Sequence, residues 1–213
     1  MHLFQQNAPR DPDAALAQLP VLDLGPYLAG KDGATQVLGA AIARACEASG
    51  FFYIENHGIS QALIDAVFAQ SRRFHALPLE TKQALTLDGN NIGYMAMNAS
   101  IQKHSSVHKA TKPNQNESFF VSYDRAPDHP GVVAAKPYRG ANQWPDGLPG
   151  FRDAVMAYFT ALNNLGQRLL PAFSVALGMP PDFLDADFAD ENNANLRLLH
   201  YPPTAIEDND FGT

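Results

Sequence analysis

One long helical pattern constrains this chain more than any other feature. Between residues 151 and 177, apolar residues recur at Phe151, Val155, Tyr158, Leu162, Leu165, Leu169 and Phe173, in steps of three and four that share one helix face. No other segment keeps a period for so long. Pro171 lies inside the pattern and has no backbone N–H to donate, so a kink or break is expected there. A fold built on this chain must pack one long helix and several short ones against short strands, which is an α+β arrangement.

Proline and glycine cut the rest into small pieces. Residues 1–18 are rich in Gln, Asn, Pro and Asp, show no period, and read as a leader arm. Residues 20–24 read as a short strand stopped by Gly25-Pro26. Apolar positions Val37, Leu38, Ala41, Ile42, Ala45 and Cys46 predict a helix over 34–49, with Gly50 at its C-terminal cap. Residues 51–54 predict a buried strand, and Asn56-His57-Gly58 a turn out of it. Ser60 suits the N-cap of a second helix carrying Leu63, Ile64, Val67, Phe68 and Phe74 on its apolar side. Pro78 ends that helix and opens another short one, since proline is tolerated in a first turn. Beyond Asp88, two β-like runs, 92–95 and 118–122, stand between polar loops, and the polar stretch 99–117 reads as a mobile loop suited to act as a lid. A short helix is expected from Pro180 to about Phe188 and a strand over 196–201, closed by Pro202-Pro203. There is no internal repeat.

Composition narrows the function classes. The 213 residues suffice for one large domain or two small ones with a real core. Fifteen Lys+Arg against 22 Asp+Glu give a formal charge of -7, which argues against nucleic acid or an anionic membrane as the main partner. A single cysteine, Cys46, excludes an internal disulfide framework and any multi-cysteine metal site, so the reducing cytoplasm is the expected compartment. No apolar run approaches the ~20 residues of a membrane-spanning helix, and the N-terminus lacks a signal-peptide core.

Residue chemistry alone exposes no active site. His104 and His108 are four apart, but their surroundings carry no helical stripe, so a solvated loop pair explains them better than a metal pair. His57 reads as a turn histidine bonded to backbone. Asp182, Asp185, Asp187, Asp190 and Glu191 lack the glycine and ligand spacing of a calcium loop and read as a solvated face. Cys46, on the apolar stripe, is expected to pack as a small hydrophobe. Neither a nucleophile elbow nor a nucleotide-binding glycine motif occurs.

The order of the pieces is more informative than any one of them. Pro20-Val21-Leu22-Asp23-Leu24 and Gly50-Phe51-Phe52-Tyr53-Ile54-Glu55-Asn56-His57-Gly58-Ile59 are followed by Arg72-Arg73-Phe74-His75-Ala76-Leu77-Pro78-Leu79-Glu80-Thr81-Lys82. Then come Gly93-Tyr94, Glu117-Ser118-Phe119, Asn142-Gln143-Trp144-Pro145, Leu148-Pro149-Gly150-Phe151 and Leu196-Arg197-Leu198-Leu199-His200-Tyr201-Pro202-Pro203. From about residue 19 to 213 this succession resembles the isopenicillin N synthase-like non-haem Fe(II)/2-oxoglutarate-dependent oxygenases, a group that includes plant hormone and flavonoid oxygenases and bacterial ethylene-forming-type enzymes.

The resemblance implies a double-stranded β-helix, or jelly roll, preceded by a helical N-terminal region. It divides the chain into an arm (1–18), the dioxygenase N-terminal region (19–145) and the start of the oxygenase domain (146–213). It also implies Fe(II) and 2-oxoglutarate as cofactors, with O2 and a small molecule as substrates and succinate and CO2 as products. Only Tyr201 falls on a family cofactor position, as the aromatic of an Asn-x-Tyr-Pro segment whose hydroxyl contacts 2-oxoglutarate. Leu199 stands where the family has Asn, and a strand tyrosine with its hydroxyl at the sheet edge is the other reading of Tyr201. Tyr94 and Phe119 are candidate walls of a substrate pocket, with core packing an equal alternative.

One departure is large. The family holds iron with a His-x-Asp pair and a distant His, and no His-x-Asp occurs here. The chain is therefore expected to be a fragment that lacks the iron site and the C-terminal part of the barrel. Apolar surface left without its partner should then make it prone to association. The rival expectation is a non-catalytic binding or interaction module derived from the same family.

Overall fold

The computed structural model describes residues 19–99, 113–188 and 193–203. In chain order the elements are β1 (Val21–Asp23), α1 (Gly25–Leu28), α2 (Ala34–Ala48), β2 (Tyr53–Glu55), α3 (Gln61–His75) and α4 (Leu79–Gln83). There follow β3 (Gly93–Met95), β4 (Glu117–Val121), α5 (Pro130–Val133), α6 (Phe151–Ala176), α7 (Asp185–Phe188) and β5 (Leu196–His200). Contacts divide the chain into two compact units, Met1–Gly58 with Asn164–Glu191 and Ile59–Asn163 with Asn192–Thr213.

The first unit carries a two-stranded parallel sheet in which Val21, Leu22 and Asp23 face Tyr53, Ile54 and Glu55. Side chains alternate across it: Leu22 is buried while Val21 and Tyr53 are exposed. Helix α2 ends as its sequence predicts, because Gly50 adopts φ +76° and its N–H donates to the Ala45 carbonyl at 3.1 Å. Leu38, Ile42 and Ala45 form its buried stripe. Cys46 does not join them: it lies one residue, about 100° of helix rotation, beyond Ala45 and is exposed. The expectation that it packs as a core residue is corrected by that rotation. Arg168, in the second half of α6, donates to the Leu28 carbonyl at 3.0 Å, and the Tyr27 hydroxyl returns a bond to the Arg168 carbonyl.

The second unit is built on an antiparallel sheet ordered β3-β4-β5. Ser60 caps α3, its hydroxyl accepting from the Leu63 N–H at 3.3 Å. Val67 and Phe74 of α3 and Phe151 and Val155 of α6 meet Tyr94, Phe119, Val121 and Leu198 from the sheet in one apolar cluster. Phe74 is at its centre, with ring centroids 4.4 Å from Phe119 and 5.2 Å from Phe151. Phe68, read as part of the α3 stripe, is instead 56% exposed.

The tryptophan-containing loop closes this unit through polar contacts. Asn142 imitates a strand partner, accepting from the Ser122 N–H and donating to the Ser122 carbonyl, each at 2.9 Å. Gln143 donates to the Ile92 carbonyl at 2.9 Å and to the Thr86 carbonyl at 3.1 Å. Asp124 accepts from both Nε and a terminal nitrogen of Arg152, at 2.8 and 2.6 Å, and from the Trp144 indole at 3.3 Å.

Two expectations about helices change. Helix α6 continues through Pro171 to Ala176, so the loss of one N–H does not end it. Helix α5 had no apolar period to announce it; its start is set by His129, whose Nδ1 accepts from the Gly131 N–H, and by Pro130 in the first turn. The loop reading of 99–117 is shortened at its end, where Glu117 already belongs to β4. Residues 100–112, with His104 and His108, lie outside the described residues, as do Asp190 and Glu191 of the acidic cluster.

Candidate functional site: the two faces of the three-stranded sheet

Strand parity sorts the polar residues of β4 and β5 onto opposite faces. Glu117, Phe119 and Val121 share a face with their partners His200, Leu198 and Leu196, and that face meets the helices. Ser118 and Phe120 share the other with Leu199, Arg197 and, one residue beyond the strand, Tyr201.

On the helix-facing side, Glu117 is 5% exposed and gathers three donors. Lys82 of α4 reaches its Oε2 at 2.7 Å, the Tyr94 hydroxyl bonds the same oxygen, and His200 Nδ1 lies 2.8 Å from Oε1. Lys82 is also buried and donates to the His75 carbonyl at 2.9 Å. Burial is the largest influence on the Glu117 carboxyl and raises its pKa. The hydrogen bonds from Lys82, Tyr94 and His200 and the Lys82 charge together outweigh it, and bring the carboxyl from 4.5 down to about 2. The Tyr94 hydroxyl is pushed up by burial and then by the adjacent carboxylate. His75, whose Nδ1 meets the Ser71 carbonyl at 2.8 Å, is pushed down chiefly by burial. Its Nε2 has no hydrogen-bond partner among the described residues, and its ring stands 5.1 Å from that of His200.

On the second face, Arg197 donates through Nε to the Ser118 hydroxyl at 2.9 Å and through a terminal nitrogen to the Asn116 side-chain oxygen at 3.0 Å. Both acceptors are neutral, and Arg197 has no carboxylate within ion-pair distance among the described residues. Its guanidinium lies 5.0 Å from the Phe120 ring centroid. Leu199 and Tyr201 stand on the same face, 44% and 55% exposed.

The structure thus separates the residues singled out from sequence. Tyr94 and Phe119 lie on the helix-facing side, 2% and 0% exposed, with Phe119 wholly among core rings and Tyr94 pointing its hydroxyl at Glu117. Tyr201 lies on the other side with Arg197. Sequence reading gave no role to Lys82, His200, Arg197 or Asn116, and took Glu117 only as part of the segment that carries Phe119. A signal for two of them existed: Arg197 and Tyr201 share parity in a strand, and Glu117 opens a strand too apolar to carry an unpaired charge.

Among the described residues no three His, Cys, Asp or Glu side chains come together as metal ligands. The iron implied by the resemblance therefore finds no fitting set of ligands among the described residues. On the second face the Arg197 guanidinium is held by two neutral oxygens, and Tyr201 stands on the same face four residues further along the chain. No helix among the described residues is long and apolar enough to cross a membrane.

The non-haem dioxygenase in morphine synthesis N-terminal family matches residues 19–147. The 2-oxoglutarate-Fe(II) type oxidoreductase hxnY of Emericella nidulans is 32% identical over 189 residues, covering 86% of this chain and 52% of the relative. Azadirone synthase LFS of Melia azedarach is 34% identical over 167 residues, covering 76% and 48%. A full-length Neurospora crassa protein, solved in complex with alpha-KG, superposes with a TM-score of 0.67 at 27% identity, covering 86% of this chain and 54% of that one. A 2OG-Fe(II) oxygenase family protein from Caulobacter crescentus shares the fold, with a TM-score of 0.70 at 23% identity over 90% of this chain and 58% of that one. The chain spans about half the length of the curated relatives it matches. With its helical region, its sheet and its ordered segments all matched over well more than half its length, the chain belongs to the N-terminal family of the non-haem Fe(II)/2-oxoglutarate-dependent oxygenases.

Proposed function

We propose that these residues form the helical N-terminal region and first jelly-roll strands of an oxygenase that oxidises a small molecule with O2, using Fe(II) and 2-oxoglutarate and releasing succinate and CO2. The supporting observation is the second face of the sheet, where Arg197 is oriented by Ser118 and Asn116 on the same face as Leu199 and Tyr201. Arginine's planar fork suits a carboxylate or a pair of carbonyl oxygens. The Tyr201 hydroxyl supplies a further donor on that face, toward 2-oxoglutarate. Solved relatives carry ligands of this kind: the Neurospora crassa protein has been solved with alpha-KG and with alpha-KG and thymine together. The substrate proposed for this chain is accordingly a small molecule that presents carbonyl or carboxylate oxygens.

The work of these residues in that enzyme is binding and orientation. The iron and the keto acid supply the oxidising chemistry, and since the described residues do not suit iron, no step is assigned to them. The metal ligands of the complete site are proposed to come from outside these 213 residues.

The test is a titration of the isotopically labelled chain. With 2-oxoglutarate as probe, amide resonances of residues 197–201 should move, and Arg197→Gln should weaken the response about tenfold. Fe(II) added alone should bind weakly and without stoichiometry. An unchanged spectrum with 2-oxoglutarate, or tight one-to-one Fe(II) binding by these 213 residues, would overturn the assignment.

A further inference from the structure

We propose that Glu117 and His200 act as the positioning device of the second face, holding the last rung of β5 from the helix side and so fixing where Tyr201 stands. The inference rests on the reading of that face given above.

Among the described residues, the ladder to β4 is the only sheet attachment of β5. The final rung pairs Glu117 with His200. Tyr201 follows at once, and then Pro202 and Pro203, which have no N–H with which to extend the ladder. The backbone ladder to β4 therefore stops at His200, and what fixes Tyr201 from this side must come from side chains.

The end of the ladder is held from beneath. His200 Nδ1 meets Glu117 Oε1 at 2.8 Å, and that carboxylate is fixed in turn by Lys82 and Tyr94. Lys82 is anchored to the His75 carbonyl at the end of α3, and the His75 ring lies against that of His200. Thus β4 and α3 meet the imidazole of β5 directly, and α4 and β3 brace the carboxylate that holds it. An ionised carboxylate can only accept, so Nδ1 carries a hydrogen whether the imidazole is neutral or charged, and the bond persists in both states. Because neighbouring side chains alternate across a sheet, the residue clamped on the helix side is the immediate neighbour of the one standing on the second face. Glu117 and His200 are positioning residues: they act on a ligand through Tyr201 and do not touch it.

The experiment compares the chain with His200→Leu and His200→Asn by amide exchange and by the ring resonances of Tyr201. Asparagine places an amide N–H close to where Nδ1–H stood; leucine offers none. His200→Leu should lower protection of residues 198–201 about tenfold and shift the Tyr201 ring, with the rest of the unit unchanged. His200→Asn should restore both. The proposal fails if His200→Leu leaves these signals unchanged, if protection falls evenly across the whole unit, or if asparagine does not rescue. A parallel titration with 2-oxoglutarate separates the two readings. A probe response that weakens in His200→Leu supports the clamp acting on the ligand. No response in any form, with the local fraying contrast intact, supports the clamp and counts against the ligand assignment.

Discussion

Glu117→Gln tests whether the buried network is a source of stability or only a geometric coincidence. The carboxyl stands at about 2 in the folded chain against an ordinary 4.5. At about 1.4 kcal/mol per tenfold in proton affinity, that gap corresponds to roughly 3 kcal/mol, and solvent screening brings it toward ~2 kcal/mol. Its sign follows from the direction of the shift. A depressed carboxyl contributes fully above pH 4.5, and the contribution drains away as the pH falls toward about 2. In the variant the Lys82 ammonium keeps the His75 carbonyl but loses its counter-charge while still 6% exposed. An uncompensated buried charge costs about 3–5 kcal/mol. Urea unfolding followed by circular dichroism at pH 7 should therefore show Glu117→Gln less stable by about 3 kcal/mol, and a pH series should show its acid limb flattened below pH 4.5. The double variant Lys82→Met/Glu117→Gln, which removes both charges, should recover a large part of the loss. If the single variant lies within about 0.5 kcal/mol of the parent and keeps the same acid limb, the reasoning about this network is wrong.

Three further outcomes follow from the same structure. His75, held below its ordinary 6.5 chiefly by burial, must charge on acidification, so stability should begin to fall as the pH drops below 6.5, and His75→Phe should remove that first decline in a pH series. Phe74→Ala empties the centre of the ring cluster and should cost about 3–5 kcal/mol by urea unfolding. Gly93→Ala drives a methyl group into the Leu85 carbonyl at a residue with φ +117°; thermal unfolding should show a loss of more than about 2 kcal/mol, well above that of an exposed glycine such as Gly89.

Some elements were legible because their signals are local. Ser60, Gly50 and the three-and-four spacing of Phe151, Val155, Tyr158, Leu162 and Leu165 act through the nearest turns of chain, so helix starts, caps and apolar stripes could be read directly. Cys46 and Phe68 show where that reading loses resolution. A stripe defined by apolar residue type is wider than the face a neighbouring element covers, and residues at its margin are decided by the neighbour.

The amino-acid sequence by itself determined the α+β class, the short-strand texture and, through the order of its segments, membership of the oxygenase family. It also carried, in strand parity, the fact that Arg197, Leu199 and Tyr201 share a face. Only the tertiary structure decided which face meets the helices, and hence that Tyr94 and Phe119 pack among core rings while Tyr201 stands apart from them. It alone brought Lys82, Tyr94, Glu117 and His200 together from four separate elements. The reason is physical: caps and periodicities are written in neighbouring residues, whereas a buried charge network depends on register between distant strands, which no local pattern specifies.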